Sequence, residues 1–341
     1  MSSGIARYIA TRAVASIITV LGAVILTFVL THLLAPNPAH IWAGPHASAS
    51  EIAAITKEYH LNQPIQIQLY YYIIDLFTFN FGMSPFFKQP VSQLILVYYP
   101  RTLILIAIAM FISIIIGIYS GAFAAVRQDK FGDGIVRVAY LLTWSTPPFL
   151  VALFFQYLFS YYAGWLPSGQ LADPSLKVPP FVTPILPLNA IIFGDWGFLS
   201  SYIVHSILPV IALTAISFGI ITRITRSSML ETMKLDFIRT QIMKGTKMSK
   251  VVYSNAVKNS LIPVVTVISL LFSFLIVGSL VIEEVFSYTG MGYLVTQALY
   301  NYDYPTLIGS IFVIALSVIL INFVTDVVYA FIDPRIRMGE R

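Results

Sequence analysis

The chain has 341 residues, 57% hydrophobic and 10% charged, with a mean hydropathy of +0.82, a formal net charge of +5 and no cysteine. That composition is one of a polytopic helical membrane protein, and the absent cysteines exclude disulfides, thiolate metal sites and a cysteine nucleophile. The pI near 9.2 is read as a consequence of membrane topology, not as nucleic-acid binding.

Six apolar runs, at 8–34, 100–126, 135–163, 203–222, 261–286 and 305–331, are long enough to cross a bilayer at about 1.5 Å per residue. They are apolar on every side, without the alternation of a spanning strand, so helices are predicted. The first run follows Arg7 and Arg12 as a signal peptide would, but exceeds the roughly 7–15 residues of a signal h-region and is read as a retained helix. Sixteen of the twenty basic residues flank alternate ends of the runs, leaving Lys57, Lys88, Arg101 and Lys177 on the other side. The positive-inside rule then places both termini in the cytoplasm of a multi-pass protein of the cell membrane.

This divides the chain into a tail and first span (1–34), an external segment (35–99) and a five-helix core (100–341) with an external loop at 164–202 and a cytoplasmic loop at 223–260. Within the external segment, 48–60 reads as a short helix capped near Ser50 and 65–79 as an amphipathic helix whose Tyr70, Tyr71 and Tyr72 suit a membrane–water interface. The loop 164–202 is rich in proline, which removes backbone donors and argues for an irregular cap. Pro147 and Pro148 lie inside the third run and predict a kink, a feature of pathway-lining helices.

No Gly-Lys dipeptide occurs, so there is no Walker A phosphate loop. HExxH and GxSxG are absent too, and the histidines at 32, 40, 46, 60 and 205 lack ligand spacing. No cofactor is expected in this chain. The informative stretch is Asp236 to Pro263, where Arg239, Lys244, Lys247, Lys250 and Lys258 make a charged island in an apolar protein. Two short amphipathic segments meet there at Gly245, which can end the first with a positive φ, and Ile238 and Ile242 share a stripe.

These residues carry a resemblance. Arg226-Ser227-Ser228-Met229-Leu230-Glu231, Asp236-Phe237-Ile238-Arg239-Thr240, Lys244-Gly245 and Asn259-Ser260-Leu261-Ile262-Pro263 together look like the cytoplasmic loop of ABC-importer permeases of the dipeptide and oligopeptide class. Glu283-Glu284-Val285-Phe286 with Gly290-Met291-Gly292, Asp303-Tyr304-Pro305 and Asp333-Pro334-Arg335-Ile336-Arg337 resemble later motifs, the last favouring the B-type subunit. Weaker matches lie at Leu33 to Pro38, Leu61 to Pro64 and Ser145 to Phe149, while Asn37, Asn80-Phe81-Gly82 and Thr289 depart from the pattern.

The resemblance implies an all-α, six-helix permease of type I importer architecture. It implies a coupling helix docking on an ATPase through Asp236, Phe237, Arg239, Thr240, Gln241, Met243, Lys244 and Gly245. It further implies a homologous second permease, two ABC ATPase subunits carrying ATP and Mg, an external substrate-binding protein and a bilayer around the whole, with no nucleic acid. Di- or oligopeptides rank first as cargo, with oligosaccharides or nickel chelates as alternatives. A self-powered secondary transporter is the competing class; it needs a midplane ion site that the sequence lacks. Glu283 and Asp326, as acids inside spans, are candidates for gating or partner contact, with a basic partner near the membrane face the plainer role for Asp326.

Overall fold

The computed structural model describes residues 3–29, 38–43 and 47–332; the motif residues 33–37 and 333–337, and the basic C-terminal tail, lie outside them. Fourteen helices in chain order make up the fold, with one isolated β-bridge, Met83 to Pro90, among the described residues. They are α1 (Ser3–Phe28), α2 (Pro38–Ala43), α3 (Ala49–Glu58), α4 (Ile65–Phe77), α5 (Val91–Val126), α6 (Phe131–Ser145) and α7 (Pro148–Phe155). Next come α8 (Leu186–Ile192), α9 (Trp196–Thr232), α10 (Asp236–Met243), α11 (Met248–Lys250), α12 (Val257–Val285), α13 (Met291–Tyr300) and α14 (Tyr304–Ile332).

Five helices are long and apolar enough to span: α1, α5, α9, α12 and α14. The third run is not one kinked helix. It is two helices, α6 and α7 with its π-helical extension Gln156–Tyr162, meeting at 111°. Thr146, ahead of a proline, is driven into the extended region at φ −90°, ψ 130°. Pro147 then stands before the new helix and Pro148 opens it, the position where a missing N–H is harmless. Two adjacent prolines thus stop the helix and restart it in another direction.

The spans at 100–126 and 203–222 extend in the structure to 36 and 37 residues, as α5 and α9. At 1.5 Å per residue each is roughly 55 Å long, well beyond a hydrocarbon core of about 30 Å. Their pairing is the bundle's most extensive contact and rests on small residues. A Cβ on Gly117 would lie 2.6 Å from Ile221, and one on Gly121 would lie 2.6 Å from Thr225 and 2.7 Å from the Thr222 carbonyl oxygen. With Ser113 these form a stripe at four-residue spacing, and Ser113 and Ser120 hydrogen-bond to Ser217 and Thr222 at 2.6 and 2.9 Å. In lipid, where no hydrophobic effect drives helices together, such close approach supplies the packing contacts.

In the segment before α5, the cap of α3 is Ser48, not Ser50: its hydroxyl accepts from the Glu51 N–H while the Glu51 carboxylate accepts from the Ser48 N–H at 2.7 Å. Those bonds, backbone first, hold the Glu51 carboxyl below its ordinary pKa. The tyrosine triplet splits, because neighbours on a helix are about 100° apart. Tyr70 and Tyr71 are exposed, whereas Tyr72 is buried against α1, its hydroxyl donating to Thr27 at 3.1 Å and its ring 5.4 Å from Phe28. Asp303 caps α14 by accepting from the Thr306 N–H at 3.1 Å, with Pro305 in the first turn.

Gly121→Ala is expected to destabilise the bundle by about 1–3 kcal/mol, since the new methyl meets a backbone carbonyl that cannot swing aside. Gly134→Ala, with nothing within 4 Å of the added carbon, is expected to be silent or mildly stabilising. Thermal unfolding of the detergent-solubilised protein checks both, and equal midpoints for the two variants would refute the packing argument.

Candidate functional site

The basic end of the bundle carries α10, whose eight residues are too few to be stable alone in water. One residue anchors it: Ile238 is fully buried in a cluster with Ala122 and Ala125 of α5, Met229 of α9, and Val251, Val252 and Ala256 of the π-helical turn before α12. The Gln241 carbonyl side chain accepts from Asn255 of that same turn. The predicted Ile238/Ile242 stripe is therefore divided, Ile238 facing the bundle and Ile242 lying 47% exposed. Phe237, Met243 and Met248 are exposed as well, and Asp236, Arg239, Thr240 and Lys244 surround them, also exposed. Exposed apolar side chains thus alternate with polar ones around a short helix anchored by Ile238.

Gly245 ends α10 at φ +73°. The Thr246 N–H donates to the Gln241 carbonyl at 3.1 Å and the Gly245 N–H to the Ile242 carbonyl at 2.9 Å, the paired bonds of a Schellman motif. A Cβ at Gly245 would meet nothing within 4 Å, so only the backbone conformation constrains this position.

A second constellation at this end was not singled out from the sequence. The Asp133 carboxylate, fully buried at the start of α6, receives two bonds from Arg226 of α9 at 2.7 and 2.8 Å and one from the Asp129 N–H at 3.0 Å. Arg137 lies 3.6 Å away. The fork-to-fork geometry is the strong form of a charge pair, and it braces the last two turns of α9, ahead of α10. The sequence signal was an acid within the first turn of a span, facing an arginine in a span that runs on past its apolar core.

The candidate acids in the spans take different places. Asp326 pairs with Arg12 at 3.5 Å, joining α14 to α1, with the two side chains 30% and 48% exposed. Glu283, a candidate for gating or for contact with a docked partner, is wholly buried within this chain. Its carboxylate accepts from Thr102 at 2.6 Å and from the Gly292 N–H at 2.6 Å, while the Met291 N–H donates to Thr102 at 2.8 Å. Glu283 thus ties α5, α12 and the N-terminus of α13 together, and glycine is needed at 290 because a Cβ there would lie 2.5 Å from both Glu283 and Thr102. The side chain is enclosed by its own chain and forms part of a joint between helices. Beside it, Thr289, one of the departures from the family pattern, accepts from Arg101 through its carbonyl and its hydroxyl at 3.0 and 2.9 Å. Pro147 is exposed at the α6–α7 corner. No group of three or more potential metal ligands occurs among the described residues.

The fold is that of a multi-pass helical membrane protein with a short helix presented at its basic end. Residues 113–338 match the family described as the binding-protein-dependent transport system inner membrane component, and residues 5–106 match the corresponding N-terminal family. The chain belongs to this family and is a multi-pass permease subunit of the ABC-importer class. It is 36% identical over 320 residues to a dipeptide transport system permease protein of Alkalihalophilus pseudofirmus, covering 93% of this chain and 95% of that one. It is 34% identical over 323 residues to a probable D,D-dipeptide transport system permease protein of Escherichia coli, covering 95% of each. A glutathione transport system permease protein of Salmonella typhimurium is 32% identical over 331 residues, 97% of this chain and 99% of the relative.

Arg226→Ala leaves the Asp133 carboxylate with only the Asp129 N–H and the more distant Arg137 and is expected to destabilise the protein by about 1–3 kcal/mol. Asp133→Asn, which removes the charge and keeps the shape, should be milder. Unfolding midpoints of the two purified variants decide the order, and the reverse order would show that the pair is not the brace.

Proposed function

We infer that this chain is a permease subunit that moves short peptides across the membrane, driven by ATP hydrolysis on separate subunits. Three relatives named for dipeptide, D,D-dipeptide and glutathione transport, each matched over nearly its whole length, favour peptides over oligosaccharides or nickel chelates. The partners are a homologous second permease, two ATPase subunits that carry ATP and Mg, and an external substrate-binding protein.

The observation that carries the coupling role is the anchored, exposed α10. Phe237, Ile242 and Met243 supply exposed apolar contacts for an ATPase cleft, and Asp236, Arg239, Thr240 and Lys244, exposed between them, supply polar ones. Gln241 acts from behind, fixing α10 to the turn ahead of α12. Because Ile238 packs on α5 and α9, closure of the ATPases would push on the two longest helices rather than on a loose loop. The Asp133–Arg226 pair would keep that push from being absorbed at the end of α9. The chemistry asked of this chain is shape and stiffness, with nucleotide held elsewhere. Basic ends face the cytoplasm in this reading, and the loop around Asp173 faces outward.

Proteoliposomes holding both permeases, the ATPases and a peptide-loaded receptor should import peptide only with ATP. Import that persists without the ATPase subunits, on an ion gradient alone, would sink the reading. In intact cells, a cysteine at position 51 or 173 should react with an impermeant reagent and one at 247 should not; the opposite pattern reverses the topology.

Gly245→Val is expected to impose a strain of order 1–3 kcal/mol, lowering the docked population about five- to a hundredfold. Gly245→Asn, which tolerates the left-handed region, should retain most activity. Import and substrate-stimulated ATP hydrolysis should fall together in the valine variant alone. Equal behaviour of the two variants would show that the left-handed stop does not aim the helix.

A further inference from the structure

At the end of the bundle opposite α10, the irregular segment after α7 folds over the α12–α13 turn and leaves a cavity of about 430 Å³. Its polar lining consists of Gln156, Ser168, Gln170, His205 and Ser287, with no carboxylate, lysine or arginine on its walls. The walls are fixed. The Gln156 amide donates to the Ser168 and Val285 carbonyls at 2.6 and 3.2 Å, and the Gln170 N–H donates to the Phe286 carbonyl at 2.7 Å. Gly169 presses so closely on Phe286 that a Cβ would lie 2.2 Å from its carbonyl oxygen.

Gln170, at φ +71° beside Phe286, holds a conformation that side chains other than asparagine rarely adopt, whereas Ser287 at φ +47° is the left-handed stop of α12, with its N–H on the Glu284 carbonyl at 3.1 Å and the Tyr288 N–H on the Glu283 carbonyl at 2.8 Å. Strain of this kind persists where the surroundings impose it, and it clusters at ligand sites. Gln156 also opens a π-helical segment, another local irregularity associated with function. His205 Nδ1 is engaged by the Ser201 carbonyl at 2.8 Å, which makes the other ring nitrogen of a neutral imidazole an acceptor.

The site therefore offers side-chain amides, hydroxyls and one imidazole acceptor, within the size range of ligand pockets. These groups match alternating N–H and C=O groups, and the nearby Asp173 carboxylate, beside lining residue Pro174, is taken up by the Ser175 N–H and hydroxyl at 2.9 and 2.8 Å. We propose that this cavity is a receiving subsite for the backbone of the transported peptide, reading its amide groups and indifferent to the charge of its side chains. The proposal rests on the peptide-import reading above. It makes Gln170, His205 and Ser287 contact residues on the side of the bundle where cargo arrives.

The absence of native cysteine allows a direct test. Gln170→Cys is introduced into the otherwise intact complex in proteoliposomes, and its reaction rate with an impermeant methanethiosulfonate reagent is measured with empty receptor, with peptide-loaded receptor and with free peptide. Peptide, free or delivered, is expected to slow labelling at least threefold beyond empty receptor, equally for acidic and basic peptides. Labelling that is unchanged by peptide, or slowed as much by empty receptor, overturns the proposal; protection by peptides of one charge only overturns the backbone reading. Ser287→Cys, also in the lining, gives the same readout if the first variant does not assemble. ATP-driven import by the wild-type complex is followed in the same vesicles. Absent import there marks failure of the peptide-import reading, whereas normal import with unprotected labelling marks failure of the pocket alone.

Discussion

The close approach of α5 and α9 is the constraint on which the rest of the bundle depends. Ser113, Gly117 and Gly121 remove the side-chain bulk that would hold two helices apart, and Ile221, Thr222 and Thr225 fill the space. Much of the remaining packing is made around this pair: α6 and α7 lean on α9, α12 packs against both, and the cluster that receives Ile238 joins their ends to the turn before α12. In a lipid environment such contacts are dispersion and geometry, so a single methyl in the wrong place is felt directly.

The charges follow the same logic. Asp133 and Glu283 are carboxylates enclosed by the chain, and each is met by several donors: Arg226 and a backbone N–H for the first, a threonine hydroxyl and helix-terminal N–H groups for the second. A buried acid without such partners would be prohibitively costly. Both sit at joints, Asp133 where α6 meets α9 and Glu283 where α5, α12 and α13 converge. Rigid joints at the two ends of long helices are what a bundle needs if force applied at one end is to be felt at the other. Asp326, half open and paired with Arg12 at 3.5 Å, is a weaker link of the peripheral α1.

The structure also separates what one helix face had joined. Ile238 and Ile242 are four residues apart, yet one anchors α10 and the other lies exposed. Tyr72 turns inward while Tyr70 and Tyr71 stay at the surface. Periodicity says which residues share a side of a helix; it does not say how far a neighbouring element extends along that side. The same limit explains α6 and α7. Pro147 and Pro148 were legible as a break, but the 111° turn depends on α7 finding its own packing surface on α9 and α12.

The sequence by itself determined the class of the protein, the approximate spans, the island at 236–250 and the stop at Gly245. These rest on local chemistry: hydropathy over a bilayer's thickness, proline's missing donor and glycine's access to positive φ. The small-residue stripe at 113–121 was also written in the sequence, as a glycine pair at four-residue spacing. Only the tertiary structure decided which helix meets that stripe, that Arg226 finds Asp133 93 residues away, and that Glu283 closes on Thr102 and Gly292. Those pairings depend on where distant helices cross, and no local property of the chain encodes a crossing point.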